Sequence, residues 1–436
     1  MNHSCNSLVR RFEKLLFQMQ LNSDRFVKCP GKDFSRNRKL SFSQLIFLLV
    51  SMEGNTLSRE LRHAFKLSSD HPSPSAFCQR RAKLLPSALP QCFKLFTESF
   101  PCSKRFHGYR LIACDGSAIS CPYNPSDAST FVQNISNSRG CNLIHLSAFY
   151  DLCEKQYVDA VLSFGNSIHE SADFITMLKR FPDDDPAIFI ADRGYESYNA
   201  FAHLIHEKRR FVFRVKAPDS NKILHGLDLP IGIPFDLTLD FSLAAHASKR
   251  LKSSPIPYHI LKKGNFDFFD QFPDAIYPFH LRFVAVPLAD GRFEYLVTNL
   301  DSKEFPSHML YRIYALRWGI ETSFRHLKYT IGLTNFHSKK AEFICQEIFA
   351  RMILFNLCQL FIASFDFSRT TFSRCYVLNF TDAVDVFRQM LSQSSTESPP
   401  DAPGLLRRNL HTSAPERTFH RNVRPRTAVS FFYRVP

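Results

Sequence analysis

The hydrophobic pattern changes its period at Tyr109, and this change limits the possible folds more than any other feature of the sequence. Before Tyr109, apolar residues recur every three or four positions, as they do in helices. After it, short apolar segments with strand character are separated by helical segments. The strand-like segments are 109–120, 142–152, 156–165, 186–192 and 209–216, and a helix is predicted at 170–180. This β-β-β-α-β-α-β order predicts a mixed sheet flanked by helices, in the α/β class.

Two of the apolar strands are predicted to end in an aspartate. Asp115 follows the segment LIAC and precedes Gly116, and Asp192 follows IFIA with Gly194 just beyond it. Sheets of α/β proteins usually carry their active sites at the carboxyl ends of strands. Either aspartate alone could instead form a turn or cap a helix. Together they mark a candidate site.

A third acid lies on a predicted helix with the sequence YRIYALRWGIETSFRHLK. At about 100° per residue, Tyr314, Arg317, Glu321, Arg325 and Lys328 fall on one face of this helix. That face carries a single carboxylate among three cations and a phenol, a set suited to holding phosphate. The alternative is an ordinary amphipathic helix whose glutamate pairs with a neighbouring arginine.

Asp115, Asp192 and Glu321 together would supply three oxygen ligands, which suit Mg²⁺ or Mn²⁺. A zinc site is not expected, because the 12 cysteines are scattered without a C-x-x-C pair or a paired histidine spacing. Scattered cysteines of this kind indicate reduced thiols in a cytosolic protein.

The positive charge is concentrated at the two ends of the chain. Residues 1–110 hold 19 Lys and Arg against 7 Asp and Glu, and residues 401–436 hold 7 Arg against 2 acids. The 290 residues between them have a net charge of −2, although the whole chain carries +15. Basic ends would attract nucleic-acid phosphates over long range. The alternative is that this charge only keeps the protein in solution.

The basic N-terminal region contains a candidate DNA reader. Two short helices are predicted on either side of a proline-containing turn, and the second has Ser75 as its N-cap. Its predicted exposed side chains, Gln79, Arg80, Arg81 and Lys83, could reach base edges or phosphates. This pattern is typical of a helix-turn-helix-like reader. A basic solvated face on a small helical bundle is the other interpretation.

The segments suggest five regions along the chain. They are a helical N-terminal DNA-binding domain at 1–105, a first part of the core at 106–216, a β-rich insertion subdomain at 217–291, a second part of the core with the glutamate-bearing helix at 292–366, and a C-terminal helix with a basic flexible tail at 367–436. Residues 392–404 have the composition of a flexible linker. The insertion is predicted because 129 residues separate Asp192 from Glu321, more than one strand and one helix require.

No membrane segment is expected. The sequence has no run of 18 apolar residues, and the apolar helix predicted at 341–365 reads as a buried core helix. The N-terminus lacks the pattern of a secretory signal.

These residues resemble a known family. The spacing Tyr314-x2-Arg317-x3-Glu321-x6-Lys328 resembles the Y-R-E-K signature of DDE transposases of insertion sequence family four. The segments CDGS around Asp115 and ADRGY around Asp192 are similar to that family's two aspartate motifs. Further similar segments are SAFCQRRAKL, TNL, LRWGIE, QEIFARMILFNL and the basic C-terminal sequence, so the resemblance covers most of the chain.

The resemblance implies an RNase H-like catalytic core interrupted by a β insertion. It also implies that Asp115, Asp192 and Glu321 form a catalytic triad that binds two Mg²⁺ ions, with Mn²⁺ as an alternative. The residues Tyr314, Arg317 and Lys328 would then hold the DNA backbone beside the scissile phosphate.

Three neighbouring residues receive no role from the resemblance. Arg325 is a candidate DNA contact only because of its position on the helix face, and Trp318 is predicted to pack against the core. Glu170 precedes a helix, where it could support the site or simply complement the helix N-terminus.

The function implied is that of a prokaryotic transposase in the cytoplasm, associated with the nucleoid when it is bound to DNA. Its partners would be the terminal inverted repeats of its element and a double-stranded target DNA, and it would act as a homodimer on paired ends. The alternatives are an inactive or repressor derivative that only binds DNA, and an Mg²⁺-dependent nuclease that cuts without joining.

Overall fold

A computed structural model of the protein describes residues 2–36, 38–133, 140–165, 169–220, 222–365, 376–392 and 401–412. Most of the predicted linker, 393–400, and most of the predicted basic tail, 413–436, lie outside the described residues. The end of the predicted linker is helical, because residues 402–404 begin the last helix.

The described part of the N-terminal region contains helices. Its helices are α1 (Asn2–Leu21), α2 (Phe42–Ser51), α3 (Leu57–Ala64), α4 (Pro74–Arg81) and α5 (Ala88–Ser99). The prediction that Ser75 caps α4 is wrong. Ser73 is the N-cap, since its hydroxyl accepts the Ala76 N–H, and Pro74 follows it at the helix start, where a missing N–H is tolerated.

The middle of the chain forms one mixed sheet, so the predicted α/β class is confirmed. Its strands are β1 (Arg110–Cys121), β2 (Phe131–Val132), β3 (Cys141–Asp151), β4 (Gln156–Phe164), β5 (Ala187–Ala191), β6 (Arg210–Val215), β7 (Phe235–Ala244), β8 (Tyr258–Ile260), β9 (Ile276–Pro287) and β10 (Phe293–Thr298). They are arranged in the order β2-β3-β1-β5-β6-β10-β9-β7-β8, and β4 also pairs with β3. β1 is antiparallel to β3 and parallel to β5, which is parallel to β6.

Helices connect the strands and cover both faces of the sheet. They are α6 (Glu170–Leu178), α7 (Tyr198–His206), α8 (Lys249–Lys252), α9 (Ser307–Leu316), α10 (Trp318–Arg325), α11 (Ala341–Ala363), α12 (Phe380–Ser392) and α13 (Ala402–Arg408). A π-helix, His326–Thr330, follows α10 directly. A small hairpin is made of β11 (Tyr376–Leu378) and β12 (Leu410–Thr412). Short 3₁₀ turns occupy Ser23–Arg25, Lys263–Asn265, Phe269–Gln271 and Pro273–Ala275.

The predicted β-rich insertion contains strands, but these strands continue the main sheet. β10 pairs with β6 through Tyr295 and Val215, and on its other edge Tyr295 pairs with Ala285 of β9. Both edges of β10 are therefore hydrogen-bonded to other strands. β9 pairs in turn with β7, and β7 pairs with β8, so all of these strands belong to the same sheet. Hydrogen bonding across β10 thus joins the insertion to the core.

The N-terminal helices share a core with the rest of the protein. One apolar cluster contains Phe12 of α1, Leu45 of α2, Leu89 of α5, Ile144 of β3 and Ile353 of α11. The first helices therefore cover α11, which in turn lies over one face of the sheet.

Helix α11 is long and apolar enough to cross a membrane by length and composition, and no other helix among the described residues passes that test. Its most apolar window is 83% buried inside the protein. This burial matches the prediction of a core helix, and core helices commonly have such a composition.

Candidate active site

The sheet places Asp115 and Asp192 side by side. In the parallel pairing of β1 with β5, the last pair in register is Cys114 with Ala191, so Asp115 is the next residue of β1 and Asp192 is the first residue after β5. Neighbouring strands lie about 4.8 Å apart. The register thus places the two aspartates at neighbouring positions of the sheet, and their predicted role as metal ligands stays a prediction.

The position predicted for Asp115 within its strand was wrong. β1 runs on to Cys121, so Asp115 is the sixth of its 12 residues instead of the last. The strand continues because β3 pairs with it on the other edge, including Asp115 with Ala148. Asp115 nevertheless lies where the parallel neighbour β5 ends.

Asp115 points to the face of the sheet that carries α9. Ile190 packs in one cluster with Leu310 and Ile313 of α9, whereas Cys114 packs in the cluster on the opposite face. Successive side chains of a strand alternate between faces. The residue that follows Cys114 in β1 therefore points toward α9 and the helix after it.

Arg317 lies between the carboxylates of Glu321 and Asp115 and contacts both. Arg317, between α9 and α10, donates from Nη2 to Glu321 Oε1 at 2.6 Å, and its Nη1 lies 3.8 Å from Asp115 Oδ2. The guanidinium is buried, and among the described residues its Nε and Nη1 have no hydrogen-bond partner. Arg317 thus offsets part of the negative charge and keeps two donor groups unused.

The electrostatics of the site favour a proton or a cation on Asp115. Burial, together with the negative charges of Asp192 and Glu321, raises the pKa of Asp115 from 3.8 to about 6, against the opposing effects of the Gly116 N–H and Arg317. The three carboxylates therefore repel one another across a partly dry site. A bound cation would relieve this repulsion.

We expect Asp115→Asn to stabilise the metal-free protein at neutral and alkaline pH. The folded state binds the Asp115 proton more tightly than the unfolded chain, so the charged carboxylate costs stability progressively as pH rises from about 4 to above 6. Urea unfolding in EDTA should show a variant advantage that grows from near zero at pH 4 to about 2 kcal/mol at pH 8. An advantage that does not change with pH, or a loss of stability, would contradict this interpretation of the site.

The other residues of the predicted helix face, Tyr314, Lys328 and Arg325, have different environments. The Tyr314 ring centroid lies 5.5 Å from the Arg317 guanidinium carbon, and its side chain is buried. Lys328 lies in the π-helix and donates from Nζ to Ala118 O at 2.8 Å, on the same strand as Asp115. Arg325 is exposed. Their predicted DNA contacts stay predictions.

The prediction that Trp318 packs against the core was wrong. Its side chain is 57% exposed, and its ring lies 5.9 Å from the Arg317 guanidinium carbon. Trp318 begins α10, and the next residue, Gly319, is the one that turns toward the protein, where an added Cβ would lie 2.9 Å from Leu152. The indole is thus left on the outer side of the helix.

The predicted N-terminal DNA contacts have different environments. Gln79 is exposed and stays a candidate. Arg80 is half-buried over the Phe34 ring and donates to Leu40 O, and Lys83 pairs with Asp33 at 2.8 Å.

The prediction that Arg81 is exposed was wrong. Its side chain is 1% exposed and pairs with Glu347 of α11 at 2.9 Å. It lies on the α4 face that packs against α11, and a buried guanidinium requires such a partner.

Two groups near the aspartates were not expected to lie together. Glu170, the first residue of α6, has its Oε1 atom 3.1 Å from Nε2 of the buried His145 on β3. His145 pairs across the sheet with Ala118, and nothing in the sequence around it distinguishes it from a core histidine. The sequence indicates Glu170 as a possible supporting residue and gives no signal for His145.

Within the described part of the chain, no three His, Cys, Asp or Glu side chains are close enough to form a ready metal-ligand set. The physical reason lies in the charges: unscreened carboxylates repel, and Arg317 occupies one oxygen of Glu321. The donor chemistry still fits a hard divalent cation, because every available ligand is a carboxylate oxygen.

The fold and site define a mixed α/β protein with an acidic centre where parallel strands end. The sequence matches the profile of the family described as "Transposase DDE domain" over residues 106–357. This match covers more than half of the chain and includes Asp115, Asp192 and Glu321. The chain therefore belongs to the DDE transposase domain family.

Two individual proteins are also similar. The protein y4zB of Sinorhizobium fredii (strain NBRC 101917 / NGR234), provisionally named a transposase, is 27% identical over 199 residues, which are 45% of this chain and 47% of that protein. The chain thus matches about half the length of this relative. The cryo-EM structure of a piggyBac transposase synaptic complex with hairpin DNA shares 12% identity, with a TM-score of 0.47, over 90% of this chain and 83% of that one.

Proposed function

We propose that this protein is a DNA transposase of insertion sequence family four, which cuts DNA at the terminal inverted repeats of its element and joins the 3′-OH ends to target DNA. One observation carries the proposal: Asp115 and Asp192 follow the last in-register pair of two parallel strands, and Arg317 joins Asp115 to Glu321. Membership of the DDE family and the Y-R-E-K spacing support it.

We also propose that the core is RNase H-like. The antiparallel strands β4, β3 and β1 support this, because β1 then continues the sheet through the parallel strands β5 and β6. One aspartate lies on the central strand of this arrangement, and the glutamate lies on a helix that packs over it. The helices at 1–105 would add DNA binding to this core.

In the proposed reaction, Asp115, Asp192 and Glu321 would hold two Mg²⁺ ions, or Mn²⁺ ions in their place. Such ions, when bound, lower the pKa of the attacking water or 3′-hydroxyl and stabilise the leaving oxygen of the phosphodiester. The chain itself supplies no covalent nucleophile in this scheme. The same carboxylates can therefore serve hydrolysis and strand transfer, because only the nucleophile differs.

Arg317 and Lys328 would position the scissile strand. Arg317 has two unused donor groups at the acidic centre, and a guanidinium binds phosphate oxygens with directed hydrogen bonds. Its position beside the Tyr314 ring limits its movement. A shift of Arg317 from Glu321 to phosphate would free the carboxylate and balance the charge of the DNA.

The partners proposed are the terminal inverted repeats and the target DNA, bound by a homodimer on paired ends. The location proposed is the prokaryotic cytoplasm, at the nucleoid when DNA is bound, without a membrane partner. The basic N-terminal region supports attraction to DNA, since residues 1–110 carry 19 Lys and Arg against 7 acids.

An assay with labelled element-end DNA and a supercoiled target in Mg²⁺ tests the proposal. A transposase should give products in which the labelled 3′ end is joined to the target. Cut ends without joining would indicate a nuclease, and binding without cleavage would indicate a repressor or an inactive copy. Omitting the divalent cation should abolish both cutting and joining while leaving end binding in place.

A further inference from the structure

We propose that Glu170 is a fourth acidic residue of the metal site, held in place by His145. This inference rests on the proposed function, because it adds one more residue to the same metal site. The carboxylate of Glu170 lies close to two glycines that follow the aspartates in the chain. A Cβ added to Gly116 would lie 2.7 Å from Glu170 Oε1, and one added to Gly194 would lie 3.7 Å from Glu170 Oε2.

Two glycines, which have no side chains, leave room for the Glu170 carboxylate. Gly116 directly follows Asp115, and Gly194 lies two residues after Asp192. The Cβ position of Gly194 is also 3.0 Å from Asp192 Oδ1, which accepts the Gly194 N–H, so the carboxylates of Asp192 and Glu170 both lie next to this glycine. Glu170 therefore reaches the acidic centre from the face opposite Glu321.

His145 is the second observation that points to a function for this acid. His145 is buried, with 7% of its surface exposed, and its Nε2 lies 3.1 Å from Glu170 Oε1. No well-aligned hydrogen bond to Nε2 is formed within the described part of the chain. The same atom would lie 2.4 Å from a Cβ on Gly116, so the imidazole points at the backbone of the residue that follows Asp115.

Complementing the start of a helix does not account for this geometry. The carboxylate of Glu170 accepts no hydrogen bond from the N–H groups of α6 among the described residues, and the N-cap position, His169, provides no side-chain cap either. The side chain points instead toward the histidine and the glycines. Four carboxylates would then face a single arginine, and this excess of negative charge favours divalent cations.

Binding of Mn²⁺ alone to the full chain, measured by the EPR signal of free Mn²⁺, tests the inference without any DNA reaction. Glu170→Gln keeps the shape and removes the charge, so it should weaken Mn²⁺ binding about 10-fold, as is typical when a supporting group of a metal site is lost. Gly116→Ala should cause a similar loss, because the new Cβ would displace His145 and Glu170. Thermal unfolding in EDTA would show that both variants are folded.

Asp173→Asn is the matched control, because Asp173 is an acid of the same helix whose carboxylate accepts hydrogen bonds from Ser147 and Ser163. Its Mn²⁺ affinity should equal that of the wild type. A folded Glu170→Gln protein with wild-type affinity would overturn the inference and leave the proposed triad intact. A wild-type protein that binds no Mn²⁺ would overturn both this inference and the metal site of the proposed function.

Discussion

Replacing Asp192 by Asn should lower the rate of strand cleavage at the element end by about 10³-fold or more, which is about 4 kcal/mol of transition-state stabilisation. The reason is that Asp192 and Asp115 directly follow the paired residues Ala191 and Cys114, and removing the Asp192 charge would remove one side of the proposed cation site. Replacing Asp115 or Glu321 in the same way should have an effect of similar size. Single-turnover cleavage of labelled end DNA in Mg²⁺ measures this loss.

Binding of end DNA should stay within a few-fold of the wild type in all three variants, since the contacts proposed for binding lie elsewhere. Asp290→Asn is a suitable control, because this carboxylate pairs with Arg292 at the turn between β9 and β10 and should not affect cleavage. If cleavage persists in all three variants, the site assignment is wrong. If DNA binding is lost together with cleavage, the carboxylates are needed for the folded structure and not specifically for catalysis.

Replacing Arg81 by Ala should lower the free energy of unfolding by about 3–5 kcal/mol. Arg81 donates from Nη1 to Glu347 at 2.9 Å, from Nε to Gln346 at 2.7 Å and from Nη2 to Phe343 O. Burial alone would raise the pKa of Glu347, but Arg81 and His337 lower it to about 2, so the carboxylate stays charged in the core. Without its main partner, that charge would be left buried.

Urea or thermal unfolding of the variant measures the cost. Arg80→Ala is the matched control, because Arg80 is only half-buried and donates to a single carbonyl, so its loss should cost about 1 kcal/mol. An Arg81→Ala protein of unchanged stability but weakened DNA binding would return this arginine to the DNA interface that its sequence position suggested. An equal loss of stability in both variants would also contradict the buried ion pair.

The position of Asp192 at a strand end could be predicted from the sequence, whereas the environment of Arg81 could not. Asp192 is set by local order: an apolar strand of five residues ends before it, and that pattern is visible in the sequence. The environment of Arg81 depends on Glu347, which lies 266 residues further along the chain. No local pattern of charges reveals such a partner.

The same distinction applies to the acidic centre. The helical spacing of Tyr314, Arg317 and Glu321 is local, and the structure keeps Arg317 next to both of the others. The extension of β1 beyond Asp115 depends on its pairing with β3, which is set by the whole sheet. The approach of Glu170 depends on the space above Gly116 and was left open by the sequence for that reason.

The insertion gives a third example. Its strands could be predicted from alternating apolar residues, but their sheet partners could not. Because β10 is paired along both edges, the strands of 217–291 join the main sheet and do not form a second one. Pairing of strand edges is a long-range property, and several registers can satisfy the same alternation.

The proposed metal site is tested most directly by a crystal structure of the protein with Mn²⁺ and element-end DNA, recorded with the anomalous signal of manganese. We expect anomalous peaks within about 2.0–2.3 Å of carboxylate oxygens of Asp115, Asp192 and Glu321, beside a DNA phosphate. Peaks elsewhere, with these three carboxylates unliganded and Arg317 still bound to Glu321, would contradict it.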